Sequence, residues 1–394
     1  MRLATTIEGR IRRASAMTTL TERSLFIVLG AGASYDCVAL KTDSDEPDPG
    51  VTRVNVQYRP PLAKDLFSSE QVFDEILRKY PLATALSEEI RSRLRKSSEE
   101  QNATLEEILK ELQSSPSLDT RRQVWEIPLY LQELLWTVSD KYVETGGTKF
   151  HTFVRRVLDS PFDQVLFLTL NYDLLLDRAI SDHTRQKFLT MESYSPSGVK
   201  WTLVKAHGSV NWGRAITNHT IPRGTSSALA EYQFISTLNS EPEFSEDTVV
   251  LHRDRVAWHL SFEPEFRFDQ VPGNFLYPWM ALPAKGVKEF FCLEQQIQHA
   301  KSFLSRCTHF LFLGFSGLDP HVIGLFREVQ RPPHKLMIVC GGKEYARKTL
   351  QKLFQANSKL IPHQHFRKDD EVLSDFGFSR FVESEAFEEF LNQK

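Results

Sequence analysis

The sequence predicts an α/β layered fold: a mainly parallel sheet flanked by helices, with an inserted helical subdomain. Two observations lead there. Five short runs are apolar almost throughout rather than in alternation, which is how strands covered by helices on both faces read. Each run then stops at glycine or a polar residue. The runs are Leu25-Phe26-Ile27-Val28-Leu29, Val165-Leu166-Phe167-Leu168, Trp201-Thr202-Leu203-Val204, Phe310-Leu311-Phe312-Leu313 and Lys335-Leu336-Met337-Ile338-Val339.

The first two runs are separated by a stretch with helical character. Leu105, Ile108, Leu109 and Leu112 recur at helical spacing, and Thr104 with Glu107 makes a capping box. Residues 124–142 form a second amphipathic helix, with Trp125, Ile127, Leu129, Leu131, Leu134 and Leu135 as its apolar bulk. This is too long for one crossover helix, so about 66–160 is read as a helical insertion. Residues 213–247 are polar and rich in Ser, Thr, Asn and Glu. They begin a surface excursion of about 213–275 that contains a strand at Thr248-Val249-Val250-Leu251. The expected organisation is an N-terminal arm at 1–23, one domain at 24–360 and a C-terminal extension at 361–394.

The bulk composition narrows the function classes. With 41% hydrophobic and 25% charged residues in 394, a packed core is expected. A net charge of −3 gives no sign of direct nucleic-acid binding, which needs clustered cations. Four cysteines, Cys37, Cys292, Cys307 and Cys340, form no CxxC pair and fit reduced thiols in a cytoplasmic protein. No apolar run approaches the roughly 20 residues that span a bilayer, so no membrane association is expected. The arm carries Arg2, Arg10, Arg12 and Arg13 but lacks the apolar middle of a secretory signal.

The residues just beyond each strand are chemically specific. The first run ends in Gly30-Ala31-Gly32-Ala33-Ser34, the second in Thr169-Leu170-Asn171-Tyr172-Asp173, and the third in Lys205-Ala206-His207-Gly208-Ser209. The fourth ends in Gly314-Phe315-Ser316-Gly317-Leu318-Asp319, and the fifth in Gly341-Gly342. Ligands of open parallel sheets bind beyond the carboxyl ends of the strands, so these groups are expected to meet in one site. Gly30 and Gly32 allow the backbone to approach a pyrophosphate, or serve only a tight turn, because Tyr35 stands where a third glycine would complete GxGxxG. Asp173 and Asn171 can start the helical run after them, and His207 can be a satisfied core histidine. Ser316 and Asp319 can be turn formers before Pro320. The shared location is what favours a site.

Taken in order, GAGAS at 30–34, TLNYD at 169–173, KAHGSVNW at 205–212 and GFSGLDP at 314–320 resemble the sirtuin superfamily. More narrowly they are similar to the bacterial sirtuin-like NADases of anti-phage defence systems, with the HerA-associated type as one candidate. The segment 59–67 (RPPLAKDLF) resembles the stretch these proteins carry after the glycine turn, and Pro278 with 285–294 resembles the stretch before their last sheet motif. The resemblance implies a Rossmann-like NAD-binding domain in which Gly30, Ala31, Gly32, Ala33 and Ser34 lie on the phosphates. Asn171 then faces the nicotinamide ribose and His207 matches the catalytic histidine; Asp173 either orients one of them or only caps its helix. Gly314, Phe315, Ser316, Asp319 and Gly341 line the ribose and adenine side.

One departure bears on the reaction. Sirtuin deacylases carry a zinc module of two CxxC pairs after the catalytic histidine, whereas 213–291 here contains no cysteine. His219, His252 and His259 match no ligand spacing, so neither zinc nor any other metal is expected. The expected function is NAD+ glycohydrolysis, with NAD as the substrate, giving nicotinamide and linear or cyclic ADP-ribose. The alternatives are an NAD-dependent protein deacylase and a non-catalytic NAD or ADP-ribose sensor in a complex. A freely active NADase would exhaust its own cell's cofactor, so control by assembly is expected. The resemblance implies a homo-oligomer and a HerA-type ATPase or an Argonaute-like partner.

Overall fold

In a computed structural model, the described residues are 22–38, 58–100, 105–144, 147–218, 235–251, 276–281, 290–360, 373–374 and 377–392. In chain order the strands are β1 (Ser24–Leu29), β2 (Gln164–Thr169), β3 (Trp201–Lys205), β4 (Gly208–Ala215), β5 (Val249–Val250), β6 (Leu276–Met280), β7 (His309–Leu313), β8 (Lys335–Val339) and β9 (Leu373–Ser374). Six of them form one sheet in the order β3-β2-β1-β7-β8-β9, and every pairing in it is parallel. This is the 3-2-1-4-5-6 order of a Rossmann-like sheet, whose order reverses between its first and fourth strands, here β1 and β7. The fold class is α/β Rossmann-like, as the sequence predicts, and all five apolar runs are strands of this sheet.

The first strand connects through the short helix α1 (Ala31–Tyr35) into the helical insertion: α2 (Gln71–Leu77), α3 (Pro81–Glu100), α4 (Leu105–Gln113), α5 (Leu118–Glu144) and α6 (Lys149–Asp159). On α6, Phe150, Phe153, Val154, Val157 and Leu158 are buried, a stripe of period 3.6 that faces the sheet. Thr148 starts α6 with a capping box shared with His151, and Phe153 meets Phe167 of β2 edge-on at 6.3 Å. Leu105, Ile108, Leu109 and Leu112 are all buried on α4 as their spacing predicts, while Thr104 lies outside the described residues.

The longest helix, α5, contains the expected 124–142 segment and packs on a second sheet. That sheet is antiparallel in the order β5-β4-β6, and β5 falls within the expected Thr248-Val249-Val250-Leu251 run. Buried Gln132 on α5 donates to the Val210 carbonyl at 2.7 Å, and Tyr277 on β6 donates to the Trp125 carbonyl at 2.7 Å. These bonds fix the insertion against the segment after β3.

The remaining helices are α7 (Leu175–Thr184), α8 (Glu294–Arg306), α9 (Pro320–Leu325), α10 (Lys343–Ala356), α11 (Gly377–Glu383) and α12 (Glu385–Asn392). The stretch expected as a C-terminal extension supplies β9, α11 and α12, and Phe378 and Phe387 pack on Phe153 of α6. The arm up to residue 21, with its four arginines, lies outside the described residues, as do 219–234 and 252–275 of the excursion. Among the described residues no helix is long and apolar enough to cross a membrane.

Candidate active site at the switch point

The strand ends stand in one row. Lys205, Thr169, Leu29, Leu313 and Val339 are successive register partners across β3, β2, β1, β7 and β8, and each is the last residue of its strand. The next residues, Leu170, Ala206, Gly30, Gly314 and Cys340, therefore leave the sheet at one level. The polar groups at the strand ends are brought to one edge, at the reversal point of the strand order.

The two glycine turns at that point are locked together. Gly30 N–H donates to the Leu313 carbonyl at 3.0 Å, Gly32 N–H to the Gly314 carbonyl at 3.2 Å, and Gly314 N–H to the Val339 carbonyl at 2.9 Å. A Cβ on Gly30 would stand 2.5 Å from the Gly314 oxygen, and one on Gly314, whose φ is +57°, would stand 2.1 Å from the Ala33 nitrogen. The glycines are thus required by the approach of β1's turn to β7's turn. The N–H groups of Gly32 and Ala33 are spent inside these turns, on the carbonyls of Gly314 and Gly30. Ala31 and Gly32 are half-buried, whereas Ala33 and Ser34 are buried.

Asn171 is 8% exposed and its amide has a determined orientation. Ser34 donates its hydroxyl proton to Asp173 Oδ2 at 2.7 Å, so Ser34 Oγ can only accept from Asn171, 2.8 Å away. The second contact, 3.1 Å to the Gly30 carbonyl, also demands a donor. Both bonds therefore place Nδ2 on that side and leave Oδ1 on the other. Asn171 Oδ1 is buried with no hydrogen-bond partner among the described residues. A buried acceptor left open in this way is uncommon and calls for an explanation such as a ligand.

Asp173 has both carboxylate oxygens engaged. Oδ2 takes the Ser34 hydroxyl, and Oδ1 takes the Leu175 N–H at the start of α7 at 3.1 Å. Burial raises its pKa, against the opposing pull of Lys205 and the Ser34 bond. Lys205 is wholly buried, donating to the Asp173 carbonyl at 2.6 Å and to Asp177 Oδ2 at 2.9 Å. Tyr194 donates to Asp177 Oδ1 at 3.2 Å and accepts from Asn211 at 3.0 Å, completing a buried polar cluster beneath the loop. Sequence reasoning missed Lys205 and Asp177. A lysine closing an otherwise apolar strand was the available signal.

His207 meets Asp319, 112 residues away: Nε2 to Oδ2 is 2.7 Å, with the side chains 15% and 16% exposed. β3 and β7 are three strand intervals apart, about 14 Å, so the two loops arch across the ends of β2 and β1 to make this contact. Asp319 also caps α9, accepting from Val322 N–H at 2.6 Å ahead of Pro320 at the first helical position. Burial alone would raise the Asp319 pKa, but the hydrogen bond and charge of His207, the Val322 N–H and the charge of His321 together hold it below the ordinary carboxylate value. The ring of Tyr172, next to Asn171, lies 6.2 Å from that of His207.

The remaining expected residues divide. Ser316 and Gly341 are exposed, and a Cβ on Gly341 would meet nothing within 4 Å. The Phe315 side chain is buried and stacks on Phe312, while its carbonyl accepts from Thr349 at 3.0 Å. In the segment 59–67, Arg59 holds the far end of α1: Nε donates to the Tyr35 carbonyl at 2.9 Å and the guanidinium lies 3.4 Å over the Tyr35 ring. Of 285–294, residues 285–289 lie outside the described residues, as do His219, His252 and His259. Among the described residues no group of three or more His, Cys, Asp or Glu is arranged to hold a metal ion.

No protein-family model and no curated protein matches the chain. Two solved structures are similar along most of its length. One, from work on the structural basis of sirtuin substrate affinity, is 14% identical over 97% of this chain and 98% of its own, with a TM-score of 0.33. The other, Sir2 in complex with the inhibitor EX-527, 2'-O-acetyl-ADP-ribose and deacetylated p53 peptide, is 12% identical over 92% and 91%, with a TM-score of 0.31.

Proposed function

We propose that this protein is a sirtuin-like NAD+ glycohydrolase that breaks the nicotinamide–ribose bond, acting as a regulated NAD-depleting effector of anti-phage defence. The observation that carries this reading is the presence of an amide and an imidazole, each held by its own partners, at the switch point of the sheet. One is the Asn171 amide, held by Ser34 and Gly30 with its carbonyl left over; the other is His207, held by Asp319. Rossmann-like sheets take dinucleotides at this point, and the open acceptor at Asn171 fits a ribose hydroxyl or a water.

The chemistry asks little more of the protein. Nicotinamide leaves as a neutral ring from a cationic one, so no general acid is needed at the leaving group. The ribose carbon develops oxocarbenium character, as in glycoside cleavage. Asn171 Oδ1 would accept a hydrogen bond from the nucleophilic water or a ribose hydroxyl, orienting it without adding charge. His207 would take the proton that this oxygen loses on forming the new C–O bond. Water supplies the oxygen, and nicotinamide, ADP-ribose and one proton are the products. Asp173 does not touch the reacting atoms in this scheme; it acts through Ser34 on the Asn171 amide. The diphosphate is assigned to the turn of Gly30 to Ser34, and the adenine side to Ser316 and Gly341.

The resemblance in sequence supports the defence role, the homo-oligomer and a HerA-type ATPase or Argonaute-like partner. Incubation of the purified protein with NAD+, with and without an acyl-lysine peptide, tests the activity. Nicotinamide released at the same rate without peptide supports hydrolysis. Release that depends on peptide and yields deacylated lysine overturns it in favour of a deacylase.

A further inference from the structure

The geometry points to Asp319 as the positioning residue of His207: it dictates which imidazole nitrogen carries the proton and leaves Nδ1 as the atom that accepts one during NAD+ cleavage. This rests on the proposed NAD+ hydrolysis and departs from the sequence expectation that Asp319 lines the bound nucleotide.

Both Asp319 oxygens are already engaged by this chain, Oδ1 with the Val322 N–H at 2.6 Å and Oδ2 with His207 Nε2 at 2.7 Å. The capping bond and Pro320 fix the aspartate's backbone, so the carboxylate is aimed before any ligand arrives. Although it is largely buried, its pKa is held below the ordinary value, so the group is an ionised acceptor near neutral pH. An acceptor opposite Nε2 requires the neutral imidazole to carry its proton there. Nδ1 is then the basic nitrogen, and it has no hydrogen-bond partner among the described residues. The same contact stabilises the imidazolium that forms when Nδ1 takes a proton.

Asp319→Asn separates these roles. Asparagine caps a helix about as well as aspartate, so the amide oxygen stays on the Val322 N–H and the amide nitrogen turns toward His207. Nε2 must then accept, and the imidazole proton moves to Nδ1. Selective ¹⁵N-histidine labelling, read at about pH 8.5 where an ordinary imidazole is neutral, reports the tautomer directly. The His207 signals are assigned by their loss in His207→Gln. The expected result is protonation at Nε2 in the wild type and at Nδ1 in Asp319→Asn. Alongside it, kcat for NAD+ cleavage should fall about a hundredfold or more while KM stays within about threefold. Wild-type His207 protonated at Nδ1 would overturn the proposal. So would a raised KM with unchanged kcat, which would return Asp319 to the nucleotide-lining role. If the wild type turns over no NAD+, the functional reading fails, and the tautomer measurement still decides the His207–Asp319 relation.

Discussion

Replacing Gly314 by alanine should destabilise the protein by at least about 3 kcal/mol, through the contact that builds the site. Gly314 has φ +57°, where an alanine loses about 1–2 kcal/mol. Its Cβ would also stand 2.1 Å from the Ala33 nitrogen, 2.4 Å from the Gly32 carbonyl carbon and 2.7 Å from Gly32 Cα. All three are backbone atoms, so no side-chain rotation relieves the clash and one turn must move. That movement breaks the Gly32–Gly314 and Gly30–Leu313 hydrogen bonds, each worth about 1 kcal/mol. One of these two turns carries Ser34 and the Gly30 carbonyl, both anchors of Asn171. Gly341→Ala is the control, because it meets nothing within 4 Å and should change stability by less than about 0.5 kcal/mol. Urea unfolding of both variants at neutral pH, compared by midpoint at equal m value, reads the difference. A Gly314→Ala protein as stable as Gly341→Ala would refute the interlocked turns.

Two further perturbations probe the amide anchor and the buried histidine of β7. Ser34→Ala removes one of the two anchors of the Asn171 amide and a donor to buried Asp173; NAD+ turnover should fall about tenfold or more and stability by about 1–3 kcal/mol, and wild-type turnover would show that Gly30 alone holds the amide. His309 at the start of β7 has its pKa lowered to about 3, by burial first and then by Arg23, His334 and Lys335. Below about pH 6.5 the unfolded chain protonates this ring and the folded chain does not, so its contribution falls by up to about 1.4 kcal/mol per pH unit as pH drops toward about 3. Urea midpoints of wild type and His309→Asn at pH 7, 6 and 5 should converge with acidification; parallel curves would contradict this.

The central strands were legible because both faces of each are buried, which leaves an uninterrupted apolar run. β4 was not, because its Asn211 and Arg214 are polar yet buried, with partners distant in sequence at Tyr194, Thr248 and Ser245. β9 pairs through only two residues, too few for any pattern. At the site, Asn171 and His207 were marked by their place just beyond strand ends. Gly30, Ser34 and Asp319 were marked in the same way, but their pairing with Asn171 and His207 was not, since a 2.7 Å contact between residues 207 and 319 depends on how two loops cross the sheet edge. The glycines of 30–34 were read as letting the backbone approach a pyrophosphate or as serving a tight turn, and the structure packs Gly30 and Gly32 against the Gly314 turn.

The most direct test of NAD+ hydrolysis at this site is chromatography of NAD+ incubated with the wild type, Asn171→Ala and His207→Ala, each alone and with its natural partner proteins. The expected result is nicotinamide and ADP-ribose from the wild type and a loss of about a hundredfold or more in each variant, with urea midpoints showing that both remain folded. A wild type that leaves NAD+ intact under every one of these conditions, or folded variants that cleave it at the wild-type rate, would contradict it.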